Sequence, residues 1–278
     1  MLTDKEILLI KRRNAVEKAI SNALETKSFQ IYYQPIWDRK ANKIHSAEAL
    51  LRLYDEKLGF ITPEEFIPIA EKDGTIIQIG QIVFEKACHF YSREMLHSKG
   101  IDFLEVNLSP VQCMHKDLAK EFGEVLQKYG VSAERINLEI TETAAINSPE
   151  TFNRTITELR NMRFKFSLDD YGTGYSNASY IFNLDFDFIK IDKSILWSAD
   201  EKASARVVLN NTIEMIRQMN LKVIVEGVQT AEQKRVIAGR NIDYIQGFYF
   251  SCPVPEKEFL QFVQDFNAGL LPQCKIEK

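Results

Sequence analysis

From about residue 30 onward, short β-rich runs alternate with helical stretches, and this alternation restricts the chain to an α/β fold with a largely parallel sheet. Eight runs read as strands: Ile31–Trp37, Ile44–Leu53, Ile101–Asn107, Arg135–Ile140, Phe164–Asp169, Phe186–Ile191, Leu221–Glu226 and Asp243–Gly247. Helix starts fall between them. Thr62-Pro63-Glu64-Glu65 reads as a capping box with proline at the first helical position. Ser109-Pro110-Val111-Gln112 repeats the device, and Thr230-Ala231-Glu232-Gln233 is a third start signal. Eight strands with intervening helices predict a (β/α)8 TIM-like barrel. Only Asp38–Lys43 separates the first two runs, too short for a helical crossover. They are expected to pair antiparallel, which makes the barrel irregular.

The division expected along the chain is an N-terminal helix over 1–27, the barrel unit over 28–265 and a tail over 266–278. Ala15, Val16, Ala19, Ile20, Ala23 and Leu24 give the helix an apolar face. It serves the barrel or links it to an upstream domain. With 45% hydrophobic residues, the 278-residue chain can fill a large core, which excludes a disordered protein. Lys plus Arg (35) nearly balance Asp plus Glu (39), so no DNA binding is expected. Cys88, Cys113, Cys252 and Cys274 show no CxxC spacing. That argues for a reducing compartment, and the expected location is cytoplasmic, as a free protein or as the cytoplasmic part of a membrane-anchored one. No apolar run approaches the roughly 18 residues of a membrane span, and no signal-peptide pattern opens the chain.

Strand parity gathers the polar residues. In Ile136–Ile140 the aliphatics face the helices, so Asn137 and Glu139 face the barrel axis. The same alternation turns Lys165, Ser167 and Asp169 inward, then Lys222, Ile224 and Glu226, and likewise Asn107, Lys190 and Gln246. Glu48 is read as lying late in the second strand. Polar residues thus recur at the C-terminal strand ends, where barrel enzymes place their chemistry. Any one of them alone would be an ordinary solvated strand end; their convergence carries the argument. Glu48, Glu139, Asp169, Asp170 and Glu226 would repel one another, and divalent cations would relieve this. Oxygen donors with an amide and no cysteine favour Mg²⁺ or Mn²⁺ over zinc, and two ions sharing a carboxylate suit phosphoryl chemistry. Lys190 could instead simply neutralise the acids. Asp169–Gly174 fits either an ordinary Asp/Gly turn or a metal-bearing loop. His45, His89, His97 and His115 show no ligand spacing and read as packing or surface residues.

These residues resemble the EAL domain, the cyclic di-GMP phosphodiesterase module of bacterial signalling. Glu48-Ala49-Leu50 is the naming motif. It occurs in order with YQPI (Tyr33–Ile36), FIPIAE (Phe66–Glu71), VNLSP (Val106–Pro110), LEITET (Leu138–Thr143), DDYGTGYSN (Asp169–Asn177), IKID (Ile189–Asp192), EGVQ (Glu226–Gln229) and QGFYFSCP (Gln246–Pro253). The resemblance implies hydrolysis of cyclic di-GMP to linear pGpG with two Mg²⁺ or Mn²⁺ ions and inhibition by Ca²⁺. It implies that Glu48, Asn107, Glu139 and Asp169 hold one metal, and that Asp169 bridges to a second supported by Asp170 and Glu226. Lys190 would hold the nucleophilic water and Gln246 would complete the water network. Gln34, Leu50 and Arg52 would bind substrate. Glu142 would anchor the DDYGTGYSN loop, which would couple the metals to a homodimer through that loop and its adjoining helix. A sensor or GGDEF domain upstream is a further expectation. One departure stands out: Gln229 replaces the acid of the usual EGVE. Tyr171 for Phe and Thr143 for Ser are conservative.

Three other readings are open on sequence. An effector could bind cyclic di-GMP without cleaving it, although the complete metal set argues against this. A glycosidase could use Glu139 and Glu226, but it has no need of five acids. A scaffold could dock through the first helix.

Overall fold

The structure, a computed structural model, describes residues 3–146, 150–173, 181 and 184–270. Along the chain run α1 (Asp4–Thr26), β1 (Gln30–Asp38), β2 (Lys43–Asp55), β3 (Gly59–Ile61), α2 (Pro63–Asp73), α3 (Ile76–Arg93), β4 (Phe103–Asn107), α4 (Pro110–Cys113) and α5 (Leu118–Tyr129). There follow β5 (Ile136–Thr141), α6 (Glu142–Ile146), α7 (Glu150–Asn161), β6 (Lys165–Tyr171), β7 (Phe188–Ile191), α8 (Lys193–Glu201) and α9 (Ala203–Gln218). The chain continues through β8 (Lys222–Val225), α10 (Ala231–Val236), β9 (Tyr244–Gln246), β10 (Val254–Pro255) and α11 (Glu256–Asn267).

The strand order is β10-β1-β9-β8-β7-β6-β5-β4-β2-β3, and the β1–β2 pairing closes the sheet into an eight-stranded barrel. All eight anticipated strands are present. The first is antiparallel to both barrel neighbours, β2 and β9, and every other barrel pairing is parallel. The short strands β3 and β10 were not anticipated. They pair with the outer ends of β2 and β1.

Two helix starts are as expected. Ser109 and Gln112, and Thr230 and Gln233, form reciprocal capping boxes. At the third, Pro63 sits at the first helical position but the Thr62 side chain makes no cap hydrogen bond. Glu65 is drawn away by Arg12 of α1, whose guanidinium holds both carboxylate oxygens at 2.6 and 2.8 Å. The second half of α1 buries Val16, Ala19, Ile20 and Ala23 in the main core, while Leu8 and Leu9 are exposed. The tail assigned from residue 266 in fact begins inside α11, which continues to Asn267 with Phe266 buried.

The lower end of the barrel is tied by a device built twice. Arg160 of α7 donates to Asp187 at 2.7 Å, and the same Asp187 oxygen accepts the Phe166 backbone N–H of β6 at 2.9 Å. Arg217 of α9 donates to Asp243 at 2.6 Å, and that oxygen accepts the Val223 N–H of β8 at 3.0 Å. Above these clasps the barrel interior is plugged by Ile36, Phe103, Phe188, Ile224 and Tyr244, an apolar floor separate from the main core. His45 joins it as a packing residue, stacked on Tyr244 and edge-on to Phe103.

Candidate active site

Alternation along each strand carries the inward face upward from that floor. Phe188 is followed two residues later by Lys190, Ile224 by Glu226, Tyr244 by Gln246, and Phe103 by Glu105 and then Asn107. Lys190 is fully buried at the centre of the ring. Its Nζ lies 2.7 Å from Glu139, 2.9 Å from Glu226, 3.3 Å from Glu48, 3.5 Å from Asp169 and 3.7 Å from Glu105. Burial alone would lower the ammonium's pKa, but Asp169, Glu139, Glu226 and Glu48 together raise it well above the ordinary lysine value.

Glu48 is the best-satisfied acid. It accepts from Gln246 Nε2 at 2.7 Å and from Asn107 Nδ2 at 3.0 Å. Burial pushes its carboxyl up, yet Lys190 and these amides outweigh burial and hold it below the usual range. Gln246 also donates to Gln34 Oε1 at 3.1 Å, and Gln34 Nε2 reaches the Ser251 carbonyl at 3.3 Å. Burial, then Glu48, pushes Glu139 well up, and burial also raises Asp169. Burial followed by the Asp169 charge brings Asp170 to about 6. Burial brings Glu226 to about 8 against the pull of Lys190. The Glu139 oxygens and Asp169 Oδ1 accept no hydrogen bond of good geometry, although both acids lie within ion-pair distance of Lys190.

Asp169 and Asp170 sit neither in a simple turn nor in a plain loop. β6 runs on to Tyr171, and its register against β7 shifts between Leu168 and Tyr171. Asp170 takes a left-handed φ of 56° at this bulge. The extra residue lets both consecutive carboxylates approach one point, as bulges beside active sites do. Asp169, Asp170 and Glu226 each present an oxygen, and these lie within 4.8 Å of one another. Glu142 opens α6 just past the strand, and its Oε2 accepts the Gly172 N–H at 3.0 Å. Gly172 has φ 102°, and a Cβ there would meet Ile195 Cδ1 at 2.3 Å, so glycine is needed where the segment leaves the sheet. The remainder of the DDYGTGYSN motif, residues 174–177, and with it the expected dimer contact, lies outside the described residues.

Beside the acids, a cavity of about 750 Å³ opens under α2 and α3. Glu48, Asn107, Glu139, Asp169 and Asp170 line one side, and Leu50, Ile67, Pro68, Ile79 and Val83 line the other. Its edge is braced by Ser109, whose Oγ donates to Glu71 at 2.6 Å. Arg52 stands farther out on β2, its guanidinium 5.4 Å from the Tyr32 ring centre and donating to the Leu51 carbonyl. Gln229, the departure from EGVE, donates its backbone N–H to Gln233 Oε1 at 2.7 Å.

Two corrections concern the acids. Glu48 is central in β2, not late in it, because β1 and β2 continue past the barrel mouth as a paired ribbon from Gln30↔Arg52. Glu105 was missed. It shares the inward parity of Asn107, is buried from solvent and lies 3.7 Å from Lys190 Nζ. The signal was present: the alternation that turns Asn107 inward turns Glu105 inward too.

The closed eight-stranded barrel, parallel except at its first strand, is an irregular α/β TIM-like barrel. The chain belongs to the EAL domain family, which matches residues 17–253. Over 248 residues it is 33% identical to the signalling protein YkoW of Bacillus subtilis (strain 168), covering 89% of this chain and 31% of that protein. Over 244 residues it is 30% identical to the cyclic di-GMP phosphodiesterase PdeL of Escherichia coli (strain K12), covering 87% of this chain and 67% of that one. Among solved structures, the PaMucR phosphodiesterase in complex with c-di-GMP matches with a TM-score of 0.82 at 28% identity, over 88% of this chain and 99% of that one. The chain spans about a third of the length of YkoW and of several other relatives. No described helix is long and apolar enough to cross a membrane.

Proposed function

We propose that this chain hydrolyses cyclic di-GMP to linear pGpG with two divalent cations, Mg²⁺ or Mn²⁺, and that Ca²⁺ inhibits it. The observation that carries the reading is the placing of Asp169, Asp170 and Glu226 oxygens around one point beside Glu48, Asn107 and Glu139. Buried carboxylate oxygens without good hydrogen bonds fit cation ligands. Glu48, Asn107, Glu139 and Asp169 would hold one ion, and Asp169, Asp170 and Glu226 the other. Bound there, such ions supply an acidified water and charge neutralisation for in-line displacement at phosphorus.

The chain's own residues do the rest. Lys190 orients the attacking water by its ammonium. Gln246 holds Glu48 and Gln34 in register across β1, β2 and β9. Leu50 and the apolar cavity wall take up a base, and Arg52 swings from Tyr32 to a phosphate, for which its planar fork is suited. Glu142 fixes the start of the segment after Asp169 and Asp170. The names of PdeL and of the PaMucR complex support the substrate.

The same reading places the protein in the cytoplasm and takes the barrel, with α11 to its end at Asn267, as the catalytic unit. It joins that unit through α1 to an upstream sensor or GGDEF domain and pairs two copies through the segment after Asp170. Incubation with cyclic di-GMP in Mg²⁺ or Mn²⁺, with and without chelator, followed by product analysis, tests it. Appearance of pGpG only with metal is expected. Binding without turnover would make the protein a receptor, and neither in a folded sample would remove the substrate assignment.

A further inference from the structure

Four of the carboxylates around Lys190 belong to the proposed cation site: Glu48, Glu139, Asp169 and Glu226. An arriving cation competes with Lys190 for each of them. The fifth, Glu105, is placed differently. It lies one inward position deeper on β4 than Asn107, opposite Glu48 on one side and Asn137 on the other. Its side chain is 0% exposed, against 9% for Glu48, 13% for Asp169 and 18% for Glu226, so it is farther from the mouth than these three. The protein grips it from the side. Asn137 Nδ2 donates to Glu105 Oε1 at 3.0 Å and also to Ser167 Oγ. Its Oε2 makes no hydrogen bond and faces Lys190 Nζ at 3.7 Å. Beneath lies the floor of Ile36, Phe103, Phe188, Ile224 and Tyr244, joined by His45, with Lys165 Nζ 4.7 Å from the Phe103 ring centre.

We propose that Glu105 is a positioning residue, the counter-ion that holds the Lys190 ammonium in place when cations draw the other four carboxylates away. This rests on the two-cation reading above. A buried ammonium whose partners are claimed by metal would otherwise be left uncompensated, and an uncompensated buried charge is strongly unfavourable. Glu105 acts through Lys190 and touches neither metal nor substrate. Asn137 and Ser167 are the brace that keeps it aimed.

Glu105→Gln keeps the shape and the acceptor for Asn137 and removes only the charge. Two measurements test the idea on the full chain. In urea denaturation, Glu105→Gln should lower the midpoint more in saturating Mg²⁺ than in chelator, because without metal the other four acids still partner Lys190. In turnover of cyclic di-GMP, kcat should fall by about 10-fold or more with KM within about twofold, in line with losses on removing outer-shell partners of metal sites. Asn137→Ser, which frees Glu105 but keeps both charges, should show a smaller loss of kcat in the same direction. An equal midpoint shift with and without Mg²⁺, or wild-type kcat in Glu105→Gln, overturns the proposal. Failure of Mg²⁺ to stabilise the wild type is a different result and removes the two-cation reading itself.

Discussion

Asp169→Asn removes one charge from the proposed bridging position with almost no change in volume. Oxygens of Asp170 and Glu226 lie within 4.8 Å of an Asp169 oxygen, and Lys190 Nζ lies 3.5 Å away. At an effective dielectric constant of about 20, each repulsion amounts to about 3.5 kcal/mol and the lysine attraction to about 4.7 kcal/mol. With both neighbours ionised, the balance is about 2 kcal/mol against the carboxylate, before Glu48 and Glu139 add to it. In chelator at about pH 8.5, where Asp170 and Glu226 are largely ionised, the variant should therefore melt above wild type, by about 4–8 °C for a domain of this size. At lower pH the gain should shrink as those acids take up protons.

Mg²⁺ should reverse the order. A ligand at a hundredfold excess over its Kd stabilises the folded wild type by about 2.7 kcal/mol, and the variant should gain much less while losing most activity. Scanning calorimetry in chelator and across a Mg²⁺ series measures both effects. A variant that melts well below wild type in chelator would make Asp169 a structural acceptor first. An equal gain from Mg²⁺ would remove it as the bridging ligand.

Glu142→Gln should leave the fold intact but weaken Mg²⁺ affinity and slow turnover about 10–100-fold, because the Gly172 N–H loses its charged acceptor; wild-type activity at limiting Mg²⁺ would refute this. Gln229→Glu should tighten Mg²⁺ or raise turnover if an acid there strengthens the metal-water network, and unchanged titrations would show that the departure is neutral. Cations must displace protons from Asp170, raised to about 6, and from Glu226, raised to about 8, so Mg²⁺ affinity should climb between those pH values. Calorimetric titrations at pH 6, 7 and 8 that gave one affinity would contradict that assignment.

Parity alone brought Asn107, Glu139, Asp169, Lys190, Glu226 and Gln246 to one barrel mouth, because a period of two leaves no freedom once the aliphatic face is fixed. The antiparallel first strand was equally legible, since a connection of a few residues cannot carry a crossover. Other features were not. The bulge at Asp169–Asp170 depends on how β6 meets β7, which no local pattern reports. The failed cap at Thr62 depends on Arg12, about fifty residues away, outcompeting a local hydrogen bond for Glu65. The ribbon beyond the mouth lengthened β2 because β3 supplies it a partner that only the folded chain assembles, as β10 does for β1. Glu105 obeys the same parity but lies one inward position below the strand end, where a buried acid leaves no mark in the sequence that separates it from a core residue.

Asp243 at the lower clasp and the pair Asp170 and Glu226 at the mouth are linked to protons with opposite sign. At the lower clasp, burial would raise the Asp243 carboxyl, but the Val223 N–H, Lys222, Lys40 and Arg217 hold it below its usual value. Its contribution to stability is present above the unfolded carboxylate pKa and is lost on acidification. At the mouth, Asp170 and Glu226 retain protons in the folded state that the unfolded chain has already released. Their contribution is present in acid and is lost as pH rises from the unfolded values toward about 6 and about 8. Acidification therefore weakens the clasp at Asp243, whereas raising the pH of the metal-free protein strains the mouth at Asp170 and Glu226. Under the two-cation reading, cations that took the place of those protons would relieve the strain at the mouth and leave the clasp untouched, so metal loading would widen the pH range of the fold in one direction only.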